Sequence, residues 1–282
     1  MGSWYPSGSE LNNLLIAALK NTSPFSAKGD LRAIIVPHAG YKYCVQTSMN
    51  AFAQIDPTKF RRVVVMGPSH SIPIPCCSIP DAQFAESPYG NIPFDTTTIF
   101  KLLQDSPSFF SLLPSHIASQ EHSLEMEFPL LKFIFKDRPF SIIPIMIGQV
   151  SSSMCAQIAS ALSSLFEDKS TLFVVSSDFT HWGRRFGYTY LPHTEEKKEI
   201  YELIEQIDMM AAEKIQSGDP LKFASYLSET RATICGKCAI LVMMNIFKNY
   251  QLTFPAYSKS SNITSKDDSS VSYFAGVLRN EY

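Results

Sequence analysis

Three histidines follow short apolar runs that are typical of buried strands. They are His38 after residues 34–37, His70 after 64–69 and His181 after 173–180. Ligands bind at the carboxyl ends of strands in open α/β sheets, so histidines far apart in sequence can meet in one crevice. A single such histidine is more often a hydrogen-bonded structural residue, but the shared position of the three favours a common site. Since imidazole suits iron, copper, zinc or nickel, the pattern predicts a transition-metal site.

Cys235 is a further candidate ligand because it directly precedes a predicted helix. Free amide N–H groups and the helix dipole at that position favour thiolate over thiol, and a thiolate binds metal readily. With Cys238 it forms the sequence Cys-Gly-Lys-Cys, a spacing also found in dithiol redox sites. No thioredoxin-like strand closely precedes it, so a metal-ligand role is favoured over the dithiol alternative.

Two carboxylate–histidine pairs are candidates for proton transfer. Asp178 lies three residues before His181, and a carboxylate that orients an imidazole is common in general-base catalysis and around metals. His122 and Glu125 open a predicted helix and share a face if its first turn forms. The second pair is either an acid–base pair, or a hydrogen-bonding support for a ligand histidine, or the solvated start of a helix with Ser123 as its N-cap.

The elements that must position these residues alternate between short apolar runs and longer helix-like segments. The predicted strands span 33–36, 62–66, 141–147, 172–176 and 272–278. The predicted helices span 44–55, 97–105, 124–135, 154–166, 195–216, 220–229 and 236–249. This pattern predicts an α/β fold with a mainly parallel central sheet and helices on both faces. Residues 72–94, rich in Pro, Ser and Gly, are expected to form an irregular lid or rim.

Composition limits the class of protein and of partner. The 282 residues are 45% hydrophobic and 18% charged, which suffices for one full core and predicts a single domain over 1–282. The 24 basic and 26 acidic side chains nearly cancel, so we expect no nucleic-acid partner. The longest apolar stretch is far shorter than the roughly 18 residues of a membrane span, so we expect no integral membrane association. Six cysteines without framework spacing predict a cytoplasmic protein.

Six separated segments resemble those of the Memo family, in the same order along the chain. They are residues 33–41, 67–70, 121–126, 175–183, 234–236 and 268–273. The resemblance implies a fold similar to that of class III extradiol dioxygenases, which open catechol rings with non-haem Fe(II) held by two histidines and a glutamate. Memo-like chains place a cysteine in the carboxylate position, so the resemblance implies His38, His70 and Cys235 as ligands, with Asp178 and His181 beside the metal.

A soft thiolate in place of a hard carboxylate favours copper(I), or iron with altered redox behaviour, and disfavours ordinary ring cleavage. We therefore expect one bound transition-metal ion, iron or copper with zinc also compatible, and a metal-dependent redox or oxidase-type activity. The family is also described as an intracellular adaptor in phosphotyrosine signalling and cell motility. The alternative is thus a non-enzymatic signalling protein that binds a phosphotyrosine peptide or signalling partner in the same crevice, with Arg184 and Arg185 as anion contacts.

Overall fold

The apolar runs of the sequence form the middle of one mixed β-sheet in the computed structural model, which describes residues 4–22, 28–248 and 250–280. The strands are β1 (Leu31–Val36), β2 (Arg62–Pro68), β3 (Cys77–Asp81), β4 (Phe84–Ala85), β5 (Ile92–Pro93), β6 (Phe110–Pro114), β7 (Ser141–Ile147), β8 (Thr171–Ser176), β9 (His181–Trp182), β10 (Tyr250–Lys259) and β11 (Ser270–Asn280). The order across the main sheet is β10-β11-β1-β8-β2-β7-β3-β6, with β9 paired to β11 and β4-β5 as a separate ribbon. The centre, β1-β8-β2-β7, is parallel.

The central strands are buried at nearly every position, which is the pattern of strands covered on both faces. The helices are α1 (Gly8–Lys20), α2 (Tyr41–Phe52), α3 (Thr96–Asp105), α4 (Ser115–Ala118), α5 (Phe128–Phe135), α6 (Ser152–Ala161), α7 (Ser163–Glu167), α8 (Ile200–Gln216), α9 (Pro220–Thr230) and α10 (Lys237–Ile246). Helix α2 packs on β1, β10 and β11, whereas α10 packs on β2 and β8. The predicted α/β class is confirmed.

All five predicted strands are present, with ends that differ by at most two residues from the prediction. Strand β10 was not predicted because it is an edge strand whose side chains are mostly half-buried, and its Pro255 interrupts the strand pattern. An edge strand tolerates proline because one side of its backbone has no strand to pair with. The register between β10 and β11 shifts between Thr253 and Ala256, on either side of that proline.

Some helix predictions need correction. The predicted helix 154–166 divides near Leu162 into α6 and α7, and the predicted helix 195–216 begins only at Ile200. The predicted irregular segment 72–94 contains β3, which joins the main sheet beside β7. The predicted end of α10 at Asn249 lies outside the described residues, as do both termini of the predicted domain 1–282. Among the helices that the structure describes, none is long and apolar enough to cross a membrane.

Candidate metal centre

Three adjacent parallel strands deliver the central side chains of the site. His38 lies two residues beyond β1, His70 two residues beyond β2 and Asp178 two residues beyond β8. Since β1, β8 and β2 are neighbours in the sheet, their carboxyl ends open at one edge. His122 reaches the same edge from the loop before a 3₁₀ turn, Glu125–Glu127.

Three imidazoles converge at this edge. One ring nitrogen from each of His38, His70 and His122 lies within 4.8 Å of the other two. The centroid of the His38 ring lies 5.2 Å from that of His70 and 5.6 Å from that of His122, and the His70 and His122 centroids are 4.9 Å apart. Nitrogens bound to one ion at about 2.1 Å lie within about 4.2 Å of each other, so a small decrease in the distances between these ring nitrogens would allow coordination. His122, expected in proton transfer, is therefore also placed as a candidate ligand.

Cys235 lies against this cluster. Its Sγ is 3.2 Å from His38 Nε2 and accepts the backbone N–H of Asp178 at 3.2 Å. The expectation that the helix start favours the Cys235 thiolate is wrong, because burial, and then the charge of Asp178, raise the pKa of this thiol. The thiolate therefore needs a cation beside it. Imidazole nitrogens with one sulfur form a donor set that fits a borderline or soft transition metal. The chemistry of these residues therefore fits the ion that the resemblance implies.

His38 is a neutral, fully enclosed imidazole. Its backbone N–H donates to Asp178 Oδ1 at 2.9 Å, and its Nδ1 lies 2.7 Å from Ser176 Oγ. Burial, followed by the neighbouring His70 and His122, lowers the pKa of His38 well below its ordinary value. A neutral ring keeps a free lone pair for a metal, which is the form that coordination requires.

Glu121 fixes the turns that carry His70 and His122, and the sequence analysis did not single it out. Its carboxylate accepts the backbone N–H groups of His70, Ser71, His122 and Ser123, and also lies 3.0 Å from His70 Nδ1. Burial alone would raise the pKa of Glu121, but these hydrogen bonds, first that of the His70 side chain, hold it well below its ordinary value. An ionised Glu121 thus accepts the proton on His70 Nδ1 in a hydrogen bond and leaves Nε2 free to bind a metal.

The predicted contact between Asp178 and His181 is wrong. His181 Nδ1 instead contacts two backbone carbonyl oxygens, of Phe179 at 2.9 Å and of Thr233 at 3.0 Å. The Asp178 carboxyl group turns toward the backbone of His38 because that strand end lies beside its own. Burial, partly offset by hydrogen bonds from the backbone, raises the pKa of Asp178 to about 7. Burial lowers the pKa of His181, which remains close enough to act electrostatically on His38.

His122 and Glu125 do not pair either. The Glu125 carboxylate accepts the hydroxyl of Tyr5 at 2.8 Å, and Glu121 Oε1 is 3.5 Å from His122 Nδ1. One face of His122 stacks on Trp4, with ring centroids 4.4 Å apart and planes 7° from parallel. The first turn is 3₁₀ and lacks a side-chain cap, and the hydroxyl of the expected cap, Ser123, donates to Pro68 O. Both proton-transfer roles remain predictions.

A model of the family described as Memo-like protein matches residues 1–277, which include every site residue named above. The chain belongs to the Memo family. The zebrafish (Danio rerio) Protein MEMO1 is 38% identical, and the match covers 98% of this chain and 95% of that protein. Human (Homo sapiens) MEMO1 is 37% identical with the same coverage, and the MEMO1 family protein C4H3.04c of Schizosaccharomyces pombe is 36% identical over 96% of this chain and 95% of its own length.

A solved structure shares the fold of this Memo chain at low sequence identity. It is the uncharacterised protein JW3007 of Escherichia coli K12, with a TM-score of 0.54 and 13% identity, covering 86% of this chain and 99% of that one. At that identity the likeness concerns the fold alone. The Memo site itself therefore has to be interpreted from its own residues.

Proposed function

We propose that this Memo protein binds one transition-metal ion, iron or copper, through His38, His70 and Cys235, and that the bound ion serves a redox or oxidase-type reaction. The observation that carries the proposal is the 3.2 Å approach of Cys235 Sγ to His38 Nε2 at the edge of the histidine cluster. One-electron chemistry would come from the ion. Zinc is compatible with the same ligands but is not redox-active.

The residues around the ligands have roles in proton handling and shielding. Asp178, with its pKa raised to about 7, can hold or release a proton near neutral pH. Its Oδ1 accepts the backbone N–H of His38. His181 has its Nδ1 fixed by two carbonyl oxygens, so its Nε2 carries the lone pair and can accept a proton. Trp4 covers one face of His122 and restricts water at that side. Ordinary extradiol ring cleavage is not part of the proposal, because no carboxylate completes the ligand set.

The competing ligand set consists of His38, His70 and His122, with Cys235 as a neighbour. Metal content measured by mass spectrometry on protein purified without added metal separates the two sets. We expect Cys235→Ser to lose most of the bound ion and His122→Gln to retain most of it. Cys155→Ala, a change at a fully buried cysteine of α6, is the matched control and should keep the wild-type metal content. Full occupancy in Cys235→Ser would contradict the proposal.

The adaptor function is a second proposal, and the placement of the two arginines makes it specific. Arg184 forms an ion pair with Asp267 at 3.2 Å. Arg185 stacks on Phe186, whose ring packs edge-on against His181 with centroids 5.2 Å apart. Arg185 is thus the better candidate for a phosphate contact beside the crevice. Calorimetry with a phosphotyrosine peptide should show binding that Arg185→Ala weakens more than Arg184→Ala, and equal weakening would refute this assignment.

A further inference from the structure

Ser176, the last residue of β8, lies at a junction of three polar groups. Its Oγ is 2.6 Å from the backbone oxygen of Ser123, 2.8 Å from Glu127 Oε1 and 2.7 Å from His38 Nδ1. The parallel pairing of Val36 with Ser176 places the serine beside the turn that carries His38. Ser176 and Glu127 are both completely buried, so water cannot supply or remove a hydrogen bond here.

Counting hydrogens at this junction fixes the direction of each bond. A serine hydroxyl has one proton and two lone pairs, and a backbone carbonyl oxygen only accepts. The proton of Ser176 therefore points to Ser123 O, the nearest acceptor. The remaining two neighbours, Glu127 Oε1 and His38 Nδ1, must then each donate a proton to Ser176 Oγ.

Glu127 can donate only as a neutral carboxylic acid, and its surroundings favour that form. Its second oxygen, Oε2, has no hydrogen-bond partner among the residues that the structure describes. A buried carboxylate with one unpartnered oxygen is costly, whereas the carbonyl oxygen of a neutral acid is much less so. Burial raises the pKa of Glu127 well above its ordinary value; the contact with the Ser176 hydroxyl partly offsets this rise, and the charge of Asp178 adds to it.

The contact at His38 Nε2, the second ring nitrogen, is consistent with these hydrogen-bond directions. If Nδ1 carries the proton, Nε2 has the lone pair, and Nε2 is the atom 3.2 Å from Cys235 Sγ. An ionised Glu127 would instead take the proton of Ser176 and leave two oxygens, Ser176 Oγ and Ser123 O, 2.6 Å apart with no hydrogen between them.

We propose that Ser176 accepts one proton from Glu127, a buried, neutral carboxylic acid, and one from His38 Nδ1, and so holds His38 in the tautomer whose Nε2 is free to bind a metal. Ser176 is thus the positioning residue for His38, and Glu127 occupies its second lone pair. The consequence for metal binding rests on the function proposed above, but the proton arrangement does not, since it belongs to the metal-free protein. Outer partners of a ligand histidine commonly change metal affinity about 10- to 100-fold.

Two measurements on metal-free protein at neutral pH test the proton arrangement directly. The infrared difference spectrum between wild type and Glu127→Gln should contain the carbonyl band of a protonated carboxylic acid, lost in the variant. Nitrogen-15 spectra of the histidine side chains should show His38 protonated at Nδ1 and unprotonated at Nε2. A carboxylate band in the difference spectrum, or a proton on Nε2, would overturn the proposal whatever the protein does with metal.

Variants then test the link to His38. Ser176→Ala removes the acceptor of the His38 Nδ1 proton and should populate both His38 tautomers. Glu127→Met removes one donor but leaves Ser123 O to accept the Ser176 proton, so it should keep the single tautomer, as should Glu127→Gln, whose amide N–H replaces the acid O–H. Asp208→Asn changes another completely buried acid and should leave His38 unchanged. A single Nδ1–H tautomer in Ser176→Ala would refute the positioning role.

Metal affinity is the final readout. Ser176→Ala should bind metal about 10- to 100-fold more weakly, while Glu127→Gln should stay within about threefold of wild type. A neutral Glu127 contributes no charge, so its replacement by glutamine should also leave the reduction potential of the bound ion unchanged. A large potential shift in Glu127→Gln would show that Glu127 is ionised and would contradict the proposal.

Discussion

At the scale of single residues, the proposed ligand set makes the proton on Cys235 decide when the site can accept an ion. Burial, then the charge of Asp178, raise the pKa of this thiol above its ordinary value, so it stays protonated through the neutral range. The same burial lowers the pKa of His38, which is therefore already neutral. Of these two candidate ligands, only the cysteine must lose a proton when metal binds.

Metal affinity should therefore rise with pH. Between about pH 6 and about pH 8, the apparent Kd should fall roughly tenfold per pH unit, because each ion bound displaces the Cys235 proton. Calorimetry in buffers of different ionisation enthalpy counts the protons released. Cys235→Ser should release about one proton fewer than wild type at the same pH. Equal proton release in the two proteins would show that Cys235 is not a ligand.

At the scale of elements, the sequence predicts those parts of the site that follow from strand ends. His38 and His70 were found because each follows an apolar run, and these runs form neighbouring parallel strands. Strand-end position did not locate His122, which comes from a loop, and Glu127 was hidden within a run predicted as one helix. Their roles depend on contacts between distant segments, and no local periodicity reports such contacts.

The start of α10 shows how closely an element must fit to present Cys235. A Cβ at Gly236, the N-cap of α10, would lie 2.5 Å from Ser177 Cβ and 2.6 Å from Ser176 O. Both contacts are too short, so Gly236→Ala should push the helix start away from β8. We expect a loss of about 1–3 kcal/mol in the free energy of unfolding and a clear loss of bound metal.

Gly40 offers a matched control for that substitution. It is the N-cap of α2 and also lies beside the site, but the nearest atom to a Cβ there is Trp4 O at 3.5 Å. Thermal denaturation and metal analysis of Gly40→Ala should differ little from wild type, by about 0.5 kcal/mol or less. If both alanine variants behaved alike, the close approach of α10 to β8 would not be what positions Cys235.

At the scale of the whole molecule, a segment near the N-terminus closes one side of the site. Trp4 O accepts the backbone N–H of Tyr41 at 2.8 Å, which ties the segment to the start of α2. The Trp4 ring then stacks on His122 while Tyr5 donates to Glu125. Residues at the beginning of the chain are thus joined to a site built mainly from strand ends in its middle.

This arrangement makes Trp4 an internal reporter of metal binding. The protein has two tryptophans, and the other, Trp182, is completely buried in β9, where its indole N–H donates to Tyr190 O at 2.9 Å. Copper(II) bound beside His122 should quench the fluorescence of Trp4, because an open-shell ion quenches an indole a few ångströms away. Trp182→Phe should keep most of the quenching, and Trp4→Phe should lose most of it.

The same tryptophan should slow the exchange of the ion with solvent. Trp4→Ala removes the ring that covers His122, so a chelator should extract the metal several-fold faster, while Trp4→Phe, which can still stack, should lie between this variant and wild type. Stopped-flow mixing with excess chelator measures these rates, with absorbance of the chelator complex as a signal independent of fluorescence. Identical extraction rates in all three proteins would mean that the ion leaves by a path that Trp4 does not cover.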